Sequence, residues 1–167
     1  MSDVKLIVDT DILSMFAKAG ALEVLTEFFG EGSVAVTSAI RDEIAIPLQY
    51  GYTFPEAVLS EVPVVALTEQ AWGEHERLWT IGRSLGKGEL EAIAFCKAEG
   101  AFFATNDAVA RRFAQDQGVQ VISLQTILRG LWLSGMRSKA EVRELLECIQ
   151  TADYLEVPPE LEAEIFG

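Results

Sequence analysis

Short apolar runs alternate with amphipathic stretches along most of the chain, and this alternation constrains the fold more than any other feature. A short apolar run is typical of a strand buried on both faces, whereas apolar residues three and four positions apart are typical of a helix. The runs that predict strands lie at residues 5–8, 34–36, 62–66, 101–104 and 119–122. Because strands separated by helices pair in parallel, we predict an α/β fold: a three-layer α/β/α sandwich around a mainly parallel sheet of about five strands.

The sequence has 167 residues, which suits one compact domain. After the last predicted strand, two amphipathic stretches at 124–134 and 138–150 predict helices. Pro158 and Pro159 then favour an extended tail with at most a short terminal helix. We therefore expect a main domain over residues 1–135 and a C-terminal helical extension over 136–167 that packs on the same domain.

Neither a membrane segment nor a secretion signal is expected. No apolar run approaches the ~20 residues of a membrane helix, and residues 1–11 lack the basic start and long apolar core of a signal peptide. Cys96 and Cys148 lie far apart without metal-ligand spacing, so we expect buried thiols rather than a disulfide or a zinc site. The sequence thus predicts a soluble, cytoplasmic protein without a membrane partner.

The charge balance is strongly acidic. There are 13 lysine and arginine residues against 26 aspartate and glutamate residues, a net charge of −13, of which residues 139–167 carry −6. Such a field opposes nonspecific attraction to polyanions. A role in nucleic-acid binding therefore requires a local basic surface or a basic partner.

Three acidic residues follow predicted strands closely. Asp9 ends the first apolar run, Asp107 comes three residues after the fourth, and Glu43 lies one to two helical turns after the second. Ligands of parallel α/β proteins bind outside the carboxyl ends of the strands, so these positions suit a site. The alternative for Asp9 and Asp107 is a helix N-cap, and for Glu43 a solvated helix surface.

A glycine-rich segment, Leu85-Gly86-Lys87-Gly88-Glu89-Leu90-Glu91, begins another predicted helix. Negative charge suits the first turn of a helix because of the helix dipole. Glu89 and Glu91 point about 200° apart, so one of them can face a pocket while the other faces elsewhere. Periodicity alone leaves open which one does.

These segments together resemble the PIN-domain family of metal-dependent ribonucleases, through Val8-Asp9-Thr10-Asp11, residues 38–43, residues 88–94 and Ala104-Thr105-Asn106-Asp107. Their order and spacing match across about residues 4–122. The resemblance implies a catalytic and metal-binding quartet of Asp9, Glu43, Glu89 and Asp107, with Glu89 in the family's usual position. It also implies supporting roles for Thr10, Asp11, Glu91, Thr105 and Asn106, although another small polar residue is commoner in the family where Asp11 stands.

Carboxylates suit this chemistry because phosphodiester hydrolysis builds charge on a water, a phosphoryl group and a leaving oxygen, which divalent cations stabilise. Mg²⁺ or Mn²⁺ is held by a few carboxylates and several waters, so one or two ions need neither histidine nor cysteine. The basic residues nearest in sequence to Glu89 and Asp107 are candidates for contacts with RNA phosphates, the alternative being ordinary solvated side chains. They are Arg83, Lys87, Arg111 and Arg112.

The helices after residue 123 look like the C-terminal part of prokaryotic, toxin-type or uncharacterised PIN proteins. That likeness implies a toxin-type or RNA-processing nuclease, with a small antitoxin-like protein and a second copy of the chain as candidate partners. Two alternatives stay open. One is a non-catalytic PIN-like binding or regulatory module, and the other is an aspartate-nucleophile phosphatase, suggested by Asp9-Thr10-Asp11 but lacking the later motifs of that family.

Aromatic residues and the single histidine add no further chemistry. His75 has no serine or cysteine partner motif, so we expect it at the surface or partly packed. Trp72, Trp79 and Trp132 lie on amphipathic stretches, where aromatic residues at helical spacing are predicted to pack in the core, with stacking on bases as the alternative.

Overall fold

A computed structural model of the chain describes residues 3–167 and contains a five-stranded parallel sheet. The spatial order is β3-β2-β1-β4-β5, and every neighbouring pair is parallel. The strands are β1 (Leu6–Val8), β2 (Val34–Thr37), β3 (Val64–Val65), β4 (Phe102–Ala104) and β5 (Val121–Ile122). The five predicted strands are therefore confirmed, and their carboxyl ends meet at one edge of the sheet.

Ten α-helices connect and follow these strands in the described part of the chain. They are α1 (Thr10–Lys18), α2 (Leu22–Phe29), α3 (Ser38–Ala45), α4 (Pro55–Glu61), α5 (Glu69–Ile81), α6 (Lys87–Glu99), α7 (Ala108–Asp116), α8 (Leu124–Leu133), α9 (Lys139–Asp153) and α10 (Pro159–Phe166). A short 3₁₀ helix, Ile46–Tyr50, follows α3. Because parallel crossovers are right-handed, the reversal of strand order places α1–α4 on one face and α5–α7 on the other, which gives the predicted three layers.

Helix α6 is the central element of its layer. Its residues from Leu90 to Cys96 are all buried, because the helix lies between the sheet strands β1, β2 and β4 on one side and α5 on the other. A helix covered on both sides needs apolar or small residues nearly all round, which its Ala92-Ile93-Ala94-Phe95 segment supplies. The first turn of α6 consequently has a fixed position at the carboxyl edge of the sheet.

The last three helices pack on the sheet domain. Helix α9 lies against α1, where Lys18 and Asp153 form an ion pair at 2.6 Å, and α10 lies against α8. Trp132 donates its indole N–H to the Ile165 carbonyl at 2.7 Å. The helices expected at 124–134 and 138–150 and the short terminal helix are confirmed, while the division at residue 135 stays a prediction. Residues 1 and 2 of the expected main domain lie outside the described residues.

Two aromatic predictions are wrong. Trp72 and Trp79 are 51% and 56% exposed, because the inward positions of α5 are taken by Ala71 and Leu78, each one residue earlier and about 100° away around the helix. Trp132 is half-buried, as is His75, which lies between the two exposed indoles.

The two thiols differ from each other. Cys96 is buried as expected, but the expectation is wrong for Cys148, which is exposed because Leu146 and Ile149 take the inward positions of α9. None of the helices between residues 3 and 167 has the length and apolar character that crossing a bilayer requires.

Candidate active site

Asp9 and Thr105 lie side by side where the central strands β1 and β4 end. The Asp9 N–H donates to the Ala104 carbonyl at 2.9 Å, which continues the parallel ladder beyond β1. The Thr105 hydroxyl donates to Oδ2 of Asp9 at 2.7 Å, and only 7% of Asp9 is exposed. Asp9 occupies the N-cap position of α1, but its side chain makes no cap bond, so its carboxylate does not serve as the helix cap.

Glu43 reaches the same edge from α3, the helix that begins directly after β2. The Thr10 hydroxyl donates to Oε2 of Glu43 at 2.7 Å. The other oxygen, Oε1, lies against α6, where a Cβ placed on Gly88 would come within 2.6 Å of it. The carboxylate is therefore held between the first turns of α1 and α6, and a glycine at position 88 is what admits it.

The two glutamates of α6 have different environments. Glu89 is half-buried and accepts a hydrogen bond from the N–H of Gly86, the N-cap of α6, at 3.1 Å. Glu91 is only 3% exposed and accepts from the Ala39 N–H in the first turn of α3, also at 3.1 Å. Glu91 thus ties α6 to α3, while Glu89 stays at the exposed start of α6.

Asp107 combines a structural contact with a place at the site. Its Oδ1 accepts from the Ala110 N–H at 2.8 Å and caps α7, so the N-cap interpretation holds for this residue. Its own N–H donates to the Thr105 hydroxyl at 3.1 Å. The neighbouring Asn106 accepts from the Leu124 N–H at 2.8 Å, which fixes the loop after β4 to the start of α8.

The electrostatics place the four carboxylates within range of one another. Burial raises the pKa of Asp9 to about 6, with the negative charges of Asp11 and Glu43 adding to the effect and the Thr105 hydrogen bond opposing it. Burial also raises the pKa of Glu89, and the charges of Asp9, Asp107 and Glu43 raise it further. Four acidic side chains from four separate segments thus repel one another at this edge.

The donor set fits a hard divalent cation. Within residues 3–167, no three acidic, histidine or cysteine side chains are already drawn together as a ligand set. Glu43, Glu89 and Asp107 are each held through one oxygen, and the other oxygen has no hydrogen-bond partner in the described part of the chain. A cation would pull these oxygens together and remove the repulsion between them, and Mg²⁺ or Mn²⁺ accepts such carboxylate sets.

The four basic residues predicted to contact phosphate lie in the segments next to Glu89 and Asp107 in the chain, and none of them forms an ion pair with the carboxylates in the described part of the chain. Arg83 lies in the loop before α6, Lys87 is the first residue of α6, and Arg111 and Arg112 lie in α7. None of the four forms an ion pair among residues 3–167, whereas Arg77, Lys97 and Arg137 are paired. Asp11 is exposed on the first turn of α1 and acts on Asp9 through its charge.

Sequence reasoning gave no role to the glycines of α6. Gly86 provides the N–H that holds Glu89, and Gly88 leaves the space that Glu43 occupies. The signal was present, since Gly88 directly precedes Glu89 and Gly86 stands three residues before it. The role of Gly86 is local to the start of α6, whereas that of Gly88 could not be read without knowing that α3 packs against α6.

Comparison with known proteins gives the family. The sequence profile of a family described as "PIN domain" matches residues 5–165, which is nearly the whole chain. The chain belongs to the PIN-domain family. It therefore has the fold of a nuclease family, and the match includes the C-terminal helices. A search of curated protein sequences finds no significant match.

Solved structures show the same fold. A chain of VapBC2 from Rickettsia felis, in a complex with a DNA fragment from their promoter, has 14% identity and a TM-score of 0.54. A chain of VapBC-1 from nontypeable Haemophilus influenzae has 16% identity and a TM-score of 0.52. In both cases the match covers 72% of this PIN domain and 98% of the other chain.

Proposed function

We propose that this PIN domain is a divalent-metal-dependent endoribonuclease that hydrolyses phosphodiester bonds of RNA, as a toxin-type or RNA-processing nuclease. The observation that carries the proposal is that the charges of Asp9, Glu43 and Asp107 act on Glu89 although the four residues come from four separate segments at the carboxyl edge of a parallel sheet. Their mutual repulsion is the arrangement that a bound cation stabilises.

These four side chains would hold one or two Mg²⁺ or Mn²⁺ ions. The bound metal supplies Lewis-acid stabilisation of the charge that develops on the phosphoryl group and the leaving oxygen. The protein orients the carboxylates: Thr105 fixes Asp9, Thr10 fixes Glu43, and the Gly86 N–H fixes Glu89. Preorganised acceptors of this kind lose little further conformational entropy when the substrate binds.

The substrate backbone would be held by the unpaired basic side chains around the cleft. We assign phosphate contacts to Arg83, Lys87, Arg111 and Arg112, because none of them is neutralised by an acidic partner among the described residues. The net charge of −13 weakens general attraction to RNA, so recognition relies on these local contacts. A selective nuclease fits this balance better than a promiscuous one.

We further propose a small antitoxin-like protein as partner, since the structural relatives are VapBC complexes, and a homodimer as the functional form. A basic partner segment would find an acidic surface on this chain. We also propose that the protein acts in the cytoplasm, because RNA is its proposed substrate.

Cleavage of a mixture of single-stranded and structured RNAs tests the proposal. Wild-type protein is incubated with Mn²⁺, Mg²⁺ or EDTA beside the Asp107→Asn variant, which can still cap α7 through its amide oxygen. We expect metal-dependent fragments from the wild type and their loss in the variant. Asp116→Asn, an exposed aspartate at the end of α7, is the matched control and is expected to cleave normally.

Two outcomes would contradict the proposal. Equal cleavage by wild type and Asp107→Asn would show that the activity does not arise at this site. No cleavage of any RNA, together with no effect of Mn²⁺ on thermal stability, would favour the non-catalytic binding module.

A further inference from the structure

A cavity of about 330 Å³ lies beside the first turn of α6. Its lining comes from the end of α5, the loop that follows it and one residue of α6. These lining residues are Trp79, Thr80, Gly82, Arg83, Leu85 and Leu90. The cavity therefore has one aromatic wall, an apolar floor and one cationic side chain at its rim, and its volume lies at the lower end of the ~300–1,000 Å³ typical of ligand pockets.

The aromatic wall, which is the indole of Trp79, is exposed to solvent although exposing apolar surface to water is unfavourable. Trp79 is 56% exposed, and its ring is supported on one side by His75 at 5.8 Å between centroids. Large indole surfaces in water are typical of surfaces that bind a partner. Trp72 lies on the same helix, equally exposed, but does not line the cavity.

The floor of the cavity is closely packed. A Cβ on Gly82 would come within 2.7 Å of Leu90 and 3.1 Å of Phe113, so the loop after α5 packs closely on α6 and α7. Gly86, at the end of this loop, donates its N–H to Glu89. Leu90, which lines the cavity, directly follows Glu89 in the chain. The cavity is therefore connected through Leu90 to the first turn of α6, which carries Glu89.

We infer that this cavity is a base-binding subsite for single-stranded RNA, in which an unpaired nucleobase stacks on Trp79 while Arg83 contacts an adjacent phosphate. The inference rests on the proposed ribonuclease function and deepens it. Bases of single strands are available for stacking on aromatic side chains, and guanidinium groups bind phosphate. Arg83 is exposed and has no ion-pair partner among residues 3–167.

Charge favours RNA over a second copy of the chain as the occupant. In a symmetric contact between two copies through this face, each copy would bring Arg83 and no acidic lining residue, so the two cationic side chains would meet without a neutralising partner. An RNA strand is acidic, and it places its phosphates at the cationic rim and its uncharged bases against the indole. A strand bound in this way would continue from the cavity towards Glu89.

The test compares Trp79→Ala with Trp72→Ala, two truncations of equally exposed tryptophans on one helix. Each is placed in the Asp107→Asn background, and binding of a labelled single-stranded adenosine octamer is measured in Mg²⁺ by fluorescence anisotropy. We expect Trp79→Ala to weaken binding about 5- to 150-fold, the range of one lost stacking contact. Trp72→Ala is expected to change the affinity for the octamer by less than about twofold. Arg83→Gln is expected to reduce the slope of the logarithm of the binding constant against the logarithm of the salt concentration by about 1.

Further measurements separate the outcomes. An octamer with abasic positions should bind equally well to the Asp107→Asn protein and to the protein that carries both Asp107→Asn and Trp79→Ala. The reason is that only the base contacts the indole. Equal effects of Trp79→Ala and Trp72→Ala, with a shift from dimer to monomer in sedimentation, would overturn the subsite in favour of an interface between copies. RNA cleavage with kcat/KM unchanged by Trp79→Ala in the otherwise wild-type protein would overturn the subsite alone. A lack of both RNA binding and RNA cleavage would overturn the proposed function with it.

Discussion

Replacing Asp9 with asparagine is expected to stabilise the metal-free protein at neutral pH. Burial raises the pKa of Asp9 from its ordinary value of 3.8 to about 6, so the folded state holds this proton more tightly than the unfolded state does. Asparagine removes the buried charge and keeps an oxygen that can accept the Thr105 hydrogen bond. The substitution therefore isolates the energetic cost of ionising this one carboxyl group.

The magnitude follows from the two pKa values. At about 1.4 kcal/mol for each tenfold change in proton affinity, the difference between 3.8 and about 6 corresponds to about 3 kcal/mol. Because folding raises the pKa of this carboxyl group, the free energy of unfolding of the wild type falls as the pH rises between these two values. Wild type and variant should have about the same free energy of unfolding at pH 3.5. Above pH 7, the free energy of unfolding of the variant should be about 3 kcal/mol higher than that of the wild type.

Urea unfolding in EDTA at several pH values measures this difference directly. Near pH 7.5 the lead of Asp9→Asn corresponds to about 6–12 °C in the melting temperature for a chain of this size. Asp116→Asn, at an exposed position of α7, is the control and should change stability by less than about 0.5 kcal/mol at every pH. The reasoning would be refuted if Asp9→Asn were less stable than the wild type at pH 7.5. It would also be refuted if the variant were more stable than the wild type by the same amount at pH 3.5 and pH 7.5, because ionisation of the buried Asp9 would then not be the cause.

Three further predictions concern the same cleft. Mn²⁺ at 100 times its Kd should stabilise the wild type by about 2.7 kcal/mol in a thermal melt and should have little effect on Asp9→Asn. Gly88→Ala should weaken Mn²⁺ binding at least about tenfold in calorimetry, because its Cβ would lie 2.6 Å from Oε1 of Glu43. The matched control Gly73→Ala, where a Cβ meets nothing within 4 Å, should leave binding unchanged and stabilise α5 by about 0.5–1 kcal/mol. Glu91→Ala should cost about 2–4 kcal/mol in urea unfolding, since it leaves a buried N–H in α3 without an acceptor and opens a cavity, whereas Glu91→Gln should cost less than half of that.

Each of these expectations has a contrary result. An equal Mn²⁺ response of wild type and Asp9→Asn would remove Asp9 from the metal site. Normal Mn²⁺ affinity in Gly88→Ala would show that Glu43 does not depend on the space beside α6. Equal destabilisation by Glu91→Ala and Glu91→Gln would mean that the charge, rather than the hydrogen bond to α3, is what matters at this position.

The order of the strands along the chain and the class of the fold could be predicted because burial leaves a local signal. Strand β1, for example, is buried on both faces and reads as an uninterrupted apolar run. The same signal was insufficient for α5. Ala71 and Leu78 take its inward positions, and a tryptophan one residue away fits the same helical period almost as well, so the exposure of Trp72 and Trp79 depended on which face met α6.

The sequence by itself determined the parallel α/β architecture, the acidic residues at strand ends and helix starts, and the family. Tertiary structure alone decided how the two glutamates of α6 differ. Glu91 lies under the start of α3 and accepts its N–H, whereas Glu89 is held by Gly86 within range of the charges of the other carboxylates. The physical reason is that helical periodicity gives the angle between two side chains, but the packing of α3 on α6 sets which angle points into the core and which towards the cleft.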